Sequence, residues 1–123
     1  MDRVRKKRPD DLRNPPLTPA TFHILLSLTQ GPAHGYHMRR MIEDRTSGAI
    51  LLGAGTLYAG IQRMTRDGLI EETDPPEDAG DVEPGARWRF YRITPRGREV
   101  LKAEIARLES DLAAARSIVR RPA

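Results

Sequence analysis

The sequence predicts a mostly α-helical chain with one small β-hairpin: three short helices, the hairpin, then a long C-terminal helix. Three observations carry this. Apolar residues recur at helical spacing in three segments separated by Gly or Pro, ending at Gln30-Gly31-Pro32, Thr46-Ser47-Gly48 and Gly68. A β-rich run, Arg87 to Ile93, follows a Pro/Gly-rich loop. Finally, Leu101, Ile105, Leu108, Leu112, Ala115 and Val119 repeat in alternating steps of four and three, a heptad seam.

Residues 1–16 carry Arg3, Arg5, Lys6, Lys7, Arg8 and Arg13 against Asp2, Asp10 and Asp11, and Pro9, Pro15 and Pro16 oppose a helix. They read as a flexible basic arm, either a solvated terminus or a phosphate-binding tail. Thr18 caps the first helix with Pro19 in its first turn. Phe22, Ile24, Leu25, Leu26 and Leu28 cover more than one of its faces, so it is expected to be buried on two sides. The second helix starts near His34-Gly35 and carries Tyr36, Met38, Met41 and Ile42. The third starts at Thr56 or the adjacent glycine. Leu57, Ile61 and Met64 form its inward stripe, and Ala59, Gln62, Arg63 and Arg66 face outward. A strand from Ile70 to Asp74, the loop 75–86 and a strand from Arg87 to Ile93 complete the hairpin. Thr94-Pro95 then opens the last helix.

The chain has 123 residues, 21 Lys and Arg against 17 Asp and Glu, and no Cys. One domain with tails follows from that length. The missing cysteines exclude disulfides, Cys-ligated zinc, iron–sulfur clusters and thiol nucleophiles. No apolar run reaches the roughly 18 residues of a membrane helix, and the N-terminus lacks the apolar stretch of a secretory signal. A soluble, cytoplasmic protein is expected. There is no Walker-type phosphate loop and no nucleophile-elbow serine, and the carboxylates cluster in a loop, so no enzyme activity and no cofactor are expected. The heptad seam is too long and narrow a stripe for the chain's own small core, so pairing with a second copy is expected; the bland alternative is a helix lying along its own domain.

Three short helices followed by a two-stranded hairpin is the plan of a winged helix-turn-helix, here extended by a long C-terminal dimerisation helix. The parts divide into the arm 1–16, a DNA-binding domain 17–93 and the dimerisation helix 94–123. The duplex major groove, about 12 Å wide, admits one helix. The third helix offers it Thr56, Tyr58, Ala59, Gln62 and Arg63: small groups that let the backbone approach, and donors suited to base edges or phosphates.

The stretches Leu17-Thr18-Pro19, His34-Gly35-Tyr36, Gly55-Thr56-Leu57-Tyr58, Gly68-Leu69-Ile70 and Tyr91-Arg92-Ile93-Thr94-Pro95-Arg96-Gly97 resemble the PadR family of bacterial transcriptional regulators, over roughly residues 17–115. The resemblance implies a dimeric winged-helix repressor of the short type, bound to a double-stranded operator. In it the terminal helix of one copy would meet the first helix of the other, which adds Phe22 and Leu25 to the interface residues. It also implies Tyr36 at the start of the bracing helix, Thr56 and Tyr58 at the start of the reading helix, and a small aromatic or apolar effector. The chain departs from the family pattern at Ala59, commonly proline, and Gly60 follows with a helix cost of about 1 kcal/mol against alanine.

Seven acids between Glu71 and Glu83 conflict with a wing lying on phosphates. Either Arg87 and Arg89 on the second strand face the DNA with the acidic tip turned away, or the acids screen arginines in the free protein. Other residues also admit two readings. Tyr58 touches phosphate or covers the core edge; Arg63 and Arg66 read as DNA contacts over plain solvated charges; Trp88 and Phe90 pack under the wing or expose a stacking surface. His34 and His37 are three apart, but a metal would need further ligands that the pattern does not supply. His23, on an apolar helix, reads as a packed side chain rather than a pH sensor. The competing function, from a different class, is a winged-helix module that binds another protein and not specific DNA.

Overall fold

A computed structural model of the protein describes residues 16–79 and 89–122. The expectations for the arm before Pro16, and for Asp81, Glu83, Arg87 and Trp88, lie outside the described residues. The elements are α1 (Pro19–Leu28), β1 (Ala33–His34), α2 (Gly35–Arg45), α3 (Ala54–Arg66), β2 (Ile70–Thr73), a single 3-10 turn (Glu77–Ala79), β3 (Phe90–Ile93) and α4 (Pro95–Arg120).

Two Thr-Pro caps are realised as the sequence predicts. Thr18 Oγ1 accepts the Thr21 N–H at 3.1 Å, and Thr94 Oγ1 accepts the Gly97 N–H at 3.0 Å. Each satisfies one of the backbone donors a helix start leaves unpaired. The start of α3 differs from expectation. Gly53 is the cap residue, in extended conformation and with no side-chain bond, and its carbonyl accepts the Leu57 N–H at 3.0 Å. Thr56 therefore lies inside the first turn.

The sheet also differs. It has three antiparallel strands in the order β1-β3-β2, with β3 central. Ala33 pairs with Tyr91 and His34 with Phe90, while Ile70 to Thr73 pair with Ile93 back to Phe90. A two-residue strand is too short to leave a periodicity in sequence, so the third strand escaped the sequence reading. Asp74 and Arg89 lie outside the strands.

α1 is the central helix, packed against α2, α3 and α4. Ile24, Leu25 and Leu28 are fully buried there, alongside Met38 and Ile42 of α2, Leu57, Ile61 and Met64 of α3, and Val100 and Leu101 of α4. This explains an apolar pattern wider than one helical stripe.

The junction of α3, the sheet and α4 is the tightest part of the fold. Gly68 adopts φ +78° after α3, a left-handed conformation natural to glycine. The Leu69 N–H then reaches back to the Met64 carbonyl at 2.9 Å, and the Gly68 N–H to Thr65 at 3.1 Å, a Schellman closure. Thr94 crosses to the same corner: its hydroxyl lies 2.6 Å from the Gly68 carbonyl and its N–H donates to Leu69 O at 3.1 Å. α4 then passes so close that a Cβ on Gly97 would stand 2.1 Å from Leu69 O.

Gly60 is the contrasting case. It is buried within α3, yet an added Cβ would meet Ile24 Cδ1 at 3.7 Å and Met64 Cε at 3.8 Å, ordinary contacts. The departure there is a weak helix position, not a close approach. Gly60→Ala is expected to raise stability by about 0.5–1 kcal/mol in urea titrations, whereas Gly97→Ala is expected to cost about 3 kcal/mol or more. Equal effects from the two would overturn this account of the junction.

Candidate nucleic-acid interface

The face of α3 opposite its buried stripe is formed by Gly55, Ala59, Gln62 and Arg66, spaced four, three and four residues apart, all exposed. At about 100° per residue this is one straight row along the helix. Its first half carries no side chain larger than a methyl group, and its second half carries an amide and a guanidinium. Thr56 and Arg63, both exposed, flank the row on the side toward α1 and α4; Arg63 lines a groove there with Thr21, Asp67 and Arg96. Arg66 stands 3.6 Å from Asp67 with both side chains more than half exposed, a weak pair in water.

Tyr58 sits on the other flank, half-buried against the core. Its ring covers Gly35 at the start of α2: a Cβ there would lie 2.7 Å from the Tyr58 hydroxyl oxygen. Tyr58 thus covers the core edge and keys the third helix to the second. The glycine of His34-Gly35-Tyr36 is the space this ring requires.

The N-terminus of α2 presents a second polar cluster. His34 caps the helix, its Nδ1 accepting the His37 N–H at 3.1 Å, and its ring meets Phe90 edge-on at 5.1 Å. Phe90 is buried, as the packing reading of the wing requires. Tyr36 is 46% exposed, with the Arg40 guanidinium 5.9 Å from its ring centre. Among the described residues no group of three or more His, Cys, Asp or Glu converges as metal ligands would. His23, on α1, lies 3.1 Å through Nδ1 from Arg45, which also donates to the buried Ser27 hydroxyl at 3.0 Å. Burial, then the Arg45 charge, lowers the His23 pKa; burial, then His37, lowers that of His34.

Both described arginines of the wing face glutamates. Arg92 Nε bonds Glu71 at 2.7 Å across the strand register, and Arg89 lies 3.8 Å from Glu72. Of the two readings of the acidic wing, the described residues match the one in which carboxylates screen arginines. Arg89 is exposed but shares its charge, while Arg87 lies outside the described residues.

The association residues divide. Leu25 and Leu101 are 0% and 4% exposed within their own chain, so their placement at an interface between copies is corrected: they belong to the monomer core. Phe22 is half-buried beside that core. Ile105, Leu108, Leu112, Ala115 and Val119 all remain exposed, reaching 81% at Val119, and Ile118, absent from the heptad reading, joins them at 65%. The last covered position of α4 is Glu104. Its buried carboxylate accepts from Arg107 Nε at 3.0 Å and from the Leu17 N–H at 3.3 Å. The Arg107 hydrogen bonds hold its pKa below the usual range.

A sequence profile of the transcriptional regulator PadR-like family matches residues 24–103. The chain belongs to this family. An uncharacterized Lysinibacillus sphaericus protein is 32% identical over 78 residues, which is 63% of this chain and 67% of that protein. An uncharacterized 37.1 kDa transposon protein of Streptomyces fradiae is 37% identical over 85 residues, 69% of this chain but only 21% of that much longer protein. Two solved structures share the fold. A Clostridium thermocellum transcriptional regulator superposes with a TM-score of 0.67 at 24% identity, covering 93% of this chain and 99% of its own. A PadR-like regulator from Bacillus cereus gives 0.68 at 20% identity, covering 83% and 92%.

This PadR-like regulator has the expected winged-helix architecture, and its family is one of transcription regulators, not enzymes. Among its described residues no helix is long and apolar enough to cross a membrane. His23 and His34 make the stability of the fold depend on pH. Both shifted groups are lowered from 6.5. Below that value the unfolded chain takes up protons that the folded chain resists, so stability falls as pH falls from about 6.5 through the folded values. Melting temperatures from pH 7.5 down to 5 should decline accordingly, and His34→Asn, which keeps a capping acceptor, should remove part of the decline. A flat profile would contradict the burial of these rings.

Proposed function

We propose that this PadR-like regulator is a dimeric, sequence-specific DNA-binding repressor, with α3 of each copy in a major groove and half-sites about one duplex turn, roughly 34 Å, apart. The observation that carries the reading is the outward row Gly55-Ala59-Gln62-Arg66: bare at the end where backbone must approach a duplex, donor-bearing beyond it. Gln suits adenine and Arg suits guanine or phosphate. Thr56, Tyr36 with Arg40, and Arg63 flank the row and serve the backbone; Tyr58 positions the helix. The wing contributes little through Arg89 and Arg92, which are shared with Glu72 and Glu71.

The second copy is supported by the exposed stripe from Ile105 to Val119, which water alone would cover in a single chain. The division into the arm 1–16, a reading domain 17–93 and an association helix 94–123 follows. Such a regulator works beside the chromosome, in the cytoplasm, and a small molecule that shifts the two reading helices would relieve repression. The competing reading, a module for protein partners, draws on the screened wing, and the same experiments separate the two.

Binding-site selection from random DNA is expected to return a two-fold symmetric site. On that duplex Gln62→Ala should relax specificity at one position per half-site and lose about 1–3 kcal/mol. Arg66→Ala should weaken binding and flatten the salt dependence by about one phosphate's share. No selected site, or affinity that disappears when residues 1–15 are removed, would favour the protein-partner reading. Separately, Leu108→Glu with Leu112→Glu should convert the sedimenting species from dimer to monomer while leaving the buried core intact.

A further inference from the structure

We propose that residues 1–15 are a DNA-binding arm, delivered beside α3, that neutralises the phosphate backbone of the duplex flanking each half-site without reading its sequence. Two independent observations carry this: the charge of the segment in the sequence, and the place where the structure fixes its exit.

The arm holds six cations, Arg3, Arg5, Lys6, Lys7, Arg8 and Arg13, against Asp2, Asp10 and Asp11, which is three of the chain's four net positive charges. Arg5-Lys6-Lys7-Arg8 is an unbroken run. The segment has no aromatic residue on which a base could stack. Its chemistry therefore suits phosphates, whose contacts give affinity and position but carry no sequence information.

The exit point is tied down at successive residues. Leu17 packs against the core, and its N–H donates at 3.3 Å to the Glu104 carboxylate, which is itself buried. Thr18 then caps α1. Glu104 is thus a positioning residue for whatever precedes Leu17. The fixed point borders α3: Pro16 and Leu17 share one cleft with Arg63, Met64 and Asp67. Arg63 is exposed and flanks the outward row of α3. The thirteen residues from Pro16 back to Arg3 span at most about 45 Å when extended. That exceeds one duplex turn of roughly 34 Å, so the cations can pass beyond a half-site held by α3.

The chain's own acidic wing is the competing occupant. Its root lies near the same cleft, since Leu69 also lines it and β2 begins at Ile70. However, Glu71 and Glu72 on β2 already face Arg92 and Arg89. A duplex presents one negative charge per roughly 1.7 Å of axis and releases counterions when a cation arrives, which favours it over a partly neutralised hairpin.

The proposal rests on the DNA reading above and is tested separately from it. Fluorescence anisotropy titrations at several salt concentrations compare three proteins: the full chain, a variant lacking residues 1–15, and a same-length variant carrying Arg5→Gln, Lys6→Gln, Lys7→Gln and Arg8→Gln. The probes are the selected site with about 10 bp added on each side, the same site trimmed to its half-sites, and a long duplex of arbitrary sequence. Both variants should lose about 10- to 50-fold in affinity at low salt on the two long duplexes, with a salt slope shallower by about three to five per copy. The loss should be equal on both, leaving the preference for the selected site unchanged, and smaller on the trimmed site. Circular dichroism and sedimentation should be the same for all three proteins. Unchanged affinity and slope would overturn the proposal. So would a rise in affinity, which would assign the arm to the wing, or a loss confined to the selected site, which would make the arm a base reader. If random DNA yields no selected site, the arbitrary duplex still measures the arm. An inert arm, in turn, leaves the α3 reading standing.

Discussion

The Leu69 carbonyl oxygen is where three elements of this fold are held to one position. It accepts the Thr94 N–H, it lies 3.1 Å from the Thr94 hydroxyl, and α4 approaches it at Gly97 to a distance that excludes even a methyl group. Leu69 itself is fixed by the Schellman closure of α3. The end of α3, the edge of the sheet and the start of α4 therefore share one corner built from backbone atoms. Core side chains can repack by fractions of an ångström, but backbone carbonyls in such a lattice have little freedom. The angle between α3 and α4 is accordingly a property of the backbone.

Electrostatics distributes function unevenly over the surface. On the wing, opposite charges face each other across the strands, and each exposed pair contributes little to stability. Their effect is to offset the positive charge of Arg89 and Arg92 in a hairpin segment that carries seven acids between Glu71 and Glu83. α3 carries the reverse arrangement. Gln62 has no charge to neutralise, and Arg66 faces only a loosely placed Asp67. This contrast suits the proposed role of α3 in meeting a polyanion: its cations stay available, while Arg89 and Arg92 of the neighbouring hairpin are paired with glutamates.

Much of this architecture was legible in the sequence because it rests on local chemistry. The two Thr-Pro caps, the Gly68 terminator and the Leu57-Ile61-Met64 stripe each report on a few neighbouring residues, and all are found where the pattern puts them. The third strand was not legible, since Ala33 and His34 pair with residues more than fifty positions away and have no repeat of their own. Leu101 opens the heptad seam and Leu25 was placed at an interface by the family resemblance, yet periodicity and resemblance state only that a residue is covered, not by which copy. Tyr58 illustrates the same limit. A tyrosine beside a run of donors suggests a ligand contact, and only the packing of its ring on Gly35 reveals the structural role. Gln62 and Arg66 were legible as outward-facing residues, but their row with Gly55 and Ala59 appears only once α3 starts at Ala54, after its cap residue Gly53.

Helix α4 runs 26 residues, about 39 Å at 1.5 Å per residue, and its buried positions end at Glu104. Everything beyond is a rod with one greasy side and no floor. A segment of that length is marginal as a free helix in water, so its persistence tracks the supply of a matching surface. On the proposed pairing, abundance of the chain would become a structural variable: the exposed length of α4 would order as a second copy accumulates, and the two copies would then engage a duplex as a unit. Dose sensitivity would follow from how far α4 extends beyond Glu104.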